Sequence, residues 1–127
     1  MFYYFIINPS SSSGKHKTLW REIKEQLEKE EINYKIAATK KTGDAKRLAR
    51  EASLQVSEQN PCTIVAIGGD GTVNEVVNGL ILSPFLSFGY IPTGSGNDLA
   101  RGLGLSKEPL EALDFILHPK EKKAVRI

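Results

Sequence analysis

The sequence predicts an α/β fold, a parallel sheet with helices on both faces, from three observations. Strand-like and helix-like segments alternate along the 127 residues, the pattern of βαβ units. The apolar run Thr63-Ile64-Val65-Ala66-Ile67 feeds straight into Gly68-Gly69-Asp70-Gly71-Thr72. A helical spacing follows at once, with Val73, Val76, Val77 and Leu80 at i, i+3, i+4 and i+7. Finally, three glycine- or serine-rich loops, 8–14, 68–72 and 92–96, each follow a strand-like run. Open parallel sheets bind their ligands at those carboxyl ends.

The elements follow in order. Phe2 to Ile7 reads as a buried first strand. Asn8-Pro9-Ser10-Ser11-Ser12-Ser13-Gly14 is a loop, and a helix runs from about Lys15 to Glu30 with Trp20, Ile23 and Leu27 inward. Tyr34 to Ala38 is a short second strand. Thr42-Gly43-Asp44 starts a helix whose Ala45, Leu48, Ala49, Ala52 and Val56 make one apolar face. Asn60-Pro61 breaks the chain before the third strand, which Cys62 opens. Ser83-Pro84 is expected to stop the third helix, because the residue before a proline is driven out of helical conformation. Leu86 to Ile91 is a fourth strand, ending at Pro92-Thr93-Gly94-Ser95-Gly96. A short helix from about Asn97 to Gly102 follows. Ser106 can cap a last helix whose Leu110, Leu113 and Leu117 share a face. Lys123-Ala124-Val125-Arg126-Ile127 alternates like a strand and then stops, so the chain is expected to be the first domain of a longer protein.

Composition narrows the function. Apolar residues at 40% and charged residues at 25% are those of an ordinary globular domain. A formal charge of +2 is too small to argue for nucleic acid. The single cysteine, Cys62, excludes an internal disulfide framework and suits a reducing compartment. No apolar stretch reaches the ~20 residues of a membrane span, and the first seven residues lack the basic lead-in of a signal peptide.

The chemistry concentrates in the loops. A strand–glycine turn–helix unit aims free backbone N–H groups and the positive end of a helix at one spot, which suits phosphate. Gly69 and Gly71 let backbone approach a phosphate, and Thr72 offers a hydroxyl. Asp70 is the unusual member. A carboxylate beside phosphates is repelled unless a metal ion bridges them or it accepts a hydrogen bond from a hydroxyl. Asn74 and Glu75, in the first turn of the helix, can reach the same place, although an acid there is also favoured by the helix dipole alone. Asp98, in the second polar turn, could pair with Asp70 to hold Mg²⁺. Lys15 could balance phosphate charge, and Thr39, ending strand two, could touch a nucleotide. Lys35, Lys40, Lys41, Lys46, Arg47 and Arg50 read either as a solvated face or as an aid to docking on anionic membrane. His16 and His118 suggest no metal site. Ser13-Gly14-Lys15-His16 is not a P-loop, lacking both the earlier glycine and a hydroxyl residue after Lys15. The central turn is not a dinucleotide fingerprint either, since Phe88, about twenty residues on, is no ribose-binding acid.

Taken together, Gly68-Gly69-Asp70-Gly71-Thr72 with Asn74-Glu75-Val76, and Pro92 through Asp98-Leu99-Ala100-Arg101, resemble the catalytic domain of the diacylglycerol kinase and lipid kinase family. Asn8-Pro9 through Gly14-Lys15 and Thr42-Gly43-Asp44-Ala45 fit the same pattern. The glycine-aspartate-glycine turn alone is shared with NAD kinases; the 93–101 segment selects lipid kinases. The resemblance implies a three-layer, doubly wound parallel sheet of the NAD kinase/diacylglycerol kinase kind. It implies ATP held by residues matching Asn8, Pro9, Ser10, Ser11, Ser12, Lys15, Thr39, Gly68, Gly69, Asp70, Gly71, Thr72, Val73, Asn74 and Ser95. Asp70 and Asp98 match acidic positions tied to activity, and Mg²⁺ is required. Ser12 stands where the family usually has glycine.

The expected acceptor is the hydroxyl of a lipid such as diacylglycerol, met by a cytoplasmic protein at the inner membrane surface. Residues 1–127 would be an N-terminal ATP-binding domain, inactive or nearly so by itself. The family's second, β-rich domain brings a general base, a further Mg²⁺ site and much of the lipid cleft. That domain and a second copy in a homodimer are the other expected partners. An NAD kinase and a non-catalytic nucleotide-binding regulatory module are the alternatives.

Overall fold

The computed structural model describes residues 1–9, 16–93 and 108–119. Among them, strands β1 (Phe2–Ile7), β2 (Asn33–Ala38), β3 (Cys62–Gly68) and β4 (Leu86–Pro92) form one parallel sheet in the order β2-β1-β3-β4. Helices α1 (His16–Lys29), α2 (Asp44–Ser53), α3 (Asp70–Gly79) and α4 (Pro109–Leu117) cover its faces. The three-layer parallel α/β architecture expected from the sequence is the one observed.

Pleating divides the apolar residues of each strand between two cores. Ile6, Ile64, Ala66, Phe88 and Tyr90 pack with Ala45, Ala49 and Ala52 of α2 and with Val73 and Val76 of α3. Phe5, Ile7, Val65, Ile67 and Ile91 face the other way, onto Ile23 and Leu27 of α1 and Ala112 and Leu113 of α4. Every residue of β3 is buried, as a central strand covered on both faces must be. The chain steps from β1 to β2 in one direction and from β2 past β1 to β3 in the other. Right-handed crossovers then put α1 and α2 on opposite faces. That reversal leaves a crevice at the carboxyl ends of β1 and β3, the position where such sheets bind ligands.

The structure adjusts four local expectations. Helix α3 begins at Asp70, with Gly69 as its N-cap, so Asp70, Gly71 and Thr72 are already its first turn rather than part of a loop. It ends at Gly79, four residues before Ser83-Pro84, because Leu80 turns extended. Val56 lies beyond the end of α2 but still packs on its core. Leu110 is 40% exposed, and α4 instead turns Ala112, Leu113, Ile116 and Leu117 inward. The expected helix from Asn97, the cap at Ser106 and the strand-like 123–127 segment lie outside the described residues.

Helices α2 and α3 pack unusually close. A Cβ on Gly79 would stand 2.2 Å from the Lys46 carbonyl oxygen, so only glycine lets the helices meet there. Near the same end, the buried Ser53 hydroxyl donates to the Ala49 carbonyl (2.7 Å) and accepts from the Ile81 amide (3.1 Å).

Candidate functional site

The carboxyl ends of the strands are held in register by bonds that continue the ladder. The Thr39 amide donates to the Ile7 carbonyl (2.9 Å), Asn8 to Ile67 (3.1 Å) and Thr93 to Gly68 (3.1 Å). The Gly68 carbonyl also accepts from the Tyr90 hydroxyl at 3.1 Å inside the core. Burial pushes the Tyr90 phenol up to about 12, with the Asp70 charge adding to the effect, so Tyr90 is a fixed donor and not a proton carrier.

Glycine has a different reason at each position of the turn. At Gly68 a Cβ would stand 2.7 Å from the Thr72 hydroxyl oxygen, so the protein's own packing requires glycine. At Gly69 and Gly71 no described atom lies within 4 Å of where a Cβ would be, and neither has a positive φ. Neither packing nor conformation asks for glycine there. Both flank Asp70, whose exposed carboxylate makes no hydrogen bond or ion pair with a described residue. Val73 is fully buried, so only its backbone faces this region, while Asn74 is exposed one residue on.

Beside the turn lies a cavity of about 290 Å³ between Asn8, Thr39, Lys40, Lys41, Thr42, Ala45, Thr72 and Glu75. It lies between the ends of β1 and β2 and the starts of α2 and α3, next to the crevice at β1 and β3. A larger hollow of about 390 Å³ opens at the opposite, amino ends of the strands, among Met1, Phe2, Tyr4, Lys35 and Cys62. It has neither a residue of the 68–72 turn nor a helix N-terminus, whereas the smaller one has Thr72 and the starts of two helices and is the candidate site among the described residues. Burial raises the Cys62 thiol to about 11, which leaves it unreactive at neutral pH.

The structure thus gathers Asn8, Thr39 and Thr72 at one cavity, with Gly68 to Gly71 beside it. Pro9 is exposed at the start of its loop. Ser10, Ser11, Ser12, Lys15, Ser95 and Asp98 lie outside the described residues. The basic cluster does not form one face. Lys40 and Lys41 line the cavity, Lys35 lies at the far end of the sheet, and Arg47 is engaged with Asp44 (3.7 Å) and Glu51 (3.3 Å). Sequence reasoning missed Lys40, Lys41 and Thr42 as site residues, although their place directly after the end of β2 was a readable signal. Asp44 shapes this wall. Its carboxylate accepts from the Lys40 amide (2.8 Å) and the Lys41 amide (3.1 Å), and these bonds hold it below its ordinary value despite its burial, Lys40 contributing most. His118, which in sequence suggests no metal site, sits 2.6 Å from Glu30 and joins the end of α4 to the end of α1.

Among the described residues, the site offers exposed backbone at a helix start, a carboxylate without a hydrogen bond or ion pair, hydroxyls and two cations. A fold and site of this kind define a parallel α/β domain with a candidate ligand site at its strand ends. The chain belongs to the family described as the diacylglycerol kinase catalytic domain, whose model matches residues 3–126. It is 38% identical over 115 residues to a diacylglycerol kinase of Bacillus subtilis (strain 168), covering 89% of this chain and 37% of that protein. It is 39% identical over 113 residues to a diacylglycerol kinase of Staphylococcus saprophyticus, covering 88% and 36%. The crystal structure of a diacylglycerol kinase from Bacillus anthracis str. Sterne superimposes with a TM-score of 0.74 at 33% identity, covering 90% of this chain and 38% of that one. The chain therefore spans little more than a third of the relatives it matches.

Proposed function

We propose that this chain is the N-terminal, ATP-binding part of a lipid kinase that transfers the γ-phosphoryl group of ATP to a lipid hydroxyl of the diacylglycerol kind. The observation that carries the reading is the pair Gly69 and Gly71, glycines where no described atom would meet an added Cβ, flanking an aspartate with no bond to a described residue. Their backbone at the start of α3 suits phosphate oxygens, and the helix dipole adds to the attraction. Lys40 and Lys41 supply positive charge at the cavity, and Asn8, Thr39 and Thr42 supply polar contacts. Asp98, Ser95, Lys15 and the serines of the first loop complete the ATP site in this reading.

Mg²⁺ fits Asp70, because such ions take one or two carboxylates and fill the remaining positions with phosphate oxygens and water. Bound there, it would neutralise charge between the phosphates and the carboxylate. In the reaction the bond between the γ-phosphorus and the bridging oxygen breaks to leave ADP. The lipid oxygen takes its place, and the hydroxyl proton passes to a base outside this chain. A second, β-rich domain supplies that base and much of the lipid cleft. The enzyme works peripherally at the inner membrane surface, as a homodimer. No described helix is long and apolar enough to cross a membrane.

The test is transfer of labelled phosphate from ATP by the full-length protein to a panel of lipid alcohols, with NAD as a further acceptor. Transfer to a lipid is expected, and Asp70→Ala should lower it on the order of a hundredfold or more. Transfer by that variant at the wild-type rate would remove Asp70 from its role. Phosphorylation of NAD alone, or binding of ATP without any transfer, would favour an NAD kinase or a regulatory module.

A further inference from the structure

Glu75 stands in the second turn of α3, one turn beyond Thr72, and both line the cavity. Its carboxylate does not point at the glycine turn. Oε1 accepts a hydrogen bond from the Gly43 amide at 2.9 Å, across 32 residues of sequence. Gly43 is the N-cap of α2. It is left-handed, with φ 95°, and has no side chain with which to cap its own helix. The segment just before it, Lys40 to Thr42, forms one wall of the cavity. Inside that segment Asp44 organises the turn through the Lys40 and Lys41 amides. Those bonds are local and set the shape of the wall. The bond from Glu75 ties the wall to the helix that carries Asp70 and Gly71.

We propose that Glu75 is a positioning residue for the nucleotide: its carboxylate clasps Gly43, fixing Lys40–Thr42 against the first turn of α3. This rests on the reading of the cavity as the ATP site. Helices α2 and α3 also touch one turn further along, where Gly79 at the end of α3 meets the Lys46 carbonyl in the first turn of α2. The Glu75 clasp sets the gap at the near end, where a ligand would enter between two helix starts. The function needs an acceptor, not a charge, at this position. That distinguishes Glu75 from a residue that meets Mg²⁺ or the ligand itself.

The test compares Glu75→Ala and Glu75→Gln in the full-length protein, by equilibrium binding of ATP with Mg²⁺, by the KM and kcat for ATP, and by the melting temperature. Glu51→Ala, which removes only the exposed pair with Arg47, is the control. Glu75→Ala should weaken ATP binding and raise KM roughly tenfold, the scale of one lost hydrogen bond to a charged group, with kcat changed far less. Glu75→Gln keeps an amide oxygen for Gly43 and should stay within about threefold of wild type. The control should bind ATP normally.

Binding by Glu75→Ala equal to wild type would overturn the clasp. So would a glutamine variant as impaired as the alanine one, because the charge itself would then be what matters. A melting temperature lowered equally in all three variants, with binding lost in proportion, would reduce Glu75 to a general stabilising contact and also overturn it. A wild-type protein that binds no ATP would instead overturn the reading of the cavity on which the clasp depends.

Discussion

Gly71 occupies a helical turn where another residue would serve the fold better. A helical glycine is less favourable than alanine, and nothing described would meet the added methyl group. Gly71→Ala should therefore stabilise the protein by about 0.5 kcal/mol in urea unfolding. The same methyl would stand where phosphate oxygens approach the backbone, so ATP binding should fall on the order of tenfold. Opposite signs in the two measurements mark a glycine kept for a ligand; equal ATP binding would mean the turn is merely tolerant. Asp44 gives a second test at this scale. Its carboxyl is held below its usual value of 3.8, first by the Lys40 amide. A lowered folded value means that its contribution is present above the unfolded value and is lost as pH falls through the folded one. Asp44→Asn should flatten the acid limb of the stability–pH curve below about pH 4 and leave its slope above pH 6 unchanged. The site was only partly legible residue by residue. Asp70 and its glycines could be read because strand, turn and helix signals are contiguous. The bond from Glu75 to Gly43 could not, because it depends on how two helices 32 residues apart happen to pack.

Among the elements, α2 and α3 decide the geometry of the site, since both start at it. Their apolar faces were readable from spacing, but the distance between them was not. In sequence Gly79 falls inside a helix expected to run on to Ser83-Pro84; in the structure it is the point where α3 touches α2 backbone. Gly79→Ala should force the helices apart and cost about 1–3 kcal/mol in chemical denaturation, the usual range for overpacking a close contact. Because the cavity lies between the starts of these helices, the variant should also weaken ATP binding while the protein is still folded. Unchanged stability would show that the α2–α3 contact can yield freely. The end of α3 teaches the same lesson. Ser83-Pro84 was a sound stop signal, yet the helix ends at Gly79, and the Ser53 hydroxyl catches the Ile81 amide just after it.

For the molecule as a whole, alternation of strand and helix was enough to predict the parallel sheet and both covered faces. Burial on two sides leaves little freedom in which residues point where. The sheet order β2-β1-β3-β4 has one reversal, and with right-handed crossovers that reversal puts helices on both faces. Activity is another matter in the proposed reading, where a second domain would face the cavity. Both sheet faces are covered by helices, and the two cores contain large, fully buried side chains such as Phe5, Ile67 and Leu113. Residues 1–127 expressed alone should therefore unfold cooperatively in urea and bind ATP. Phosphoryl transfer asks for more: the acceptor hydroxyl and the γ-phosphate must be held in line, with charge stabilised on both sides. In that reading the described residues would meet the phosphates from one side, with the Asp70 carboxylate and the two cavity lysines. The isolated chain should accordingly transfer phosphate to diacylglycerol vesicles at least about a hundredfold more slowly than the full-length protein, at saturating ATP and Mg²⁺. Equal turnover would mean that the transfer machinery is complete within these residues, and the division of labour proposed here would be wrong.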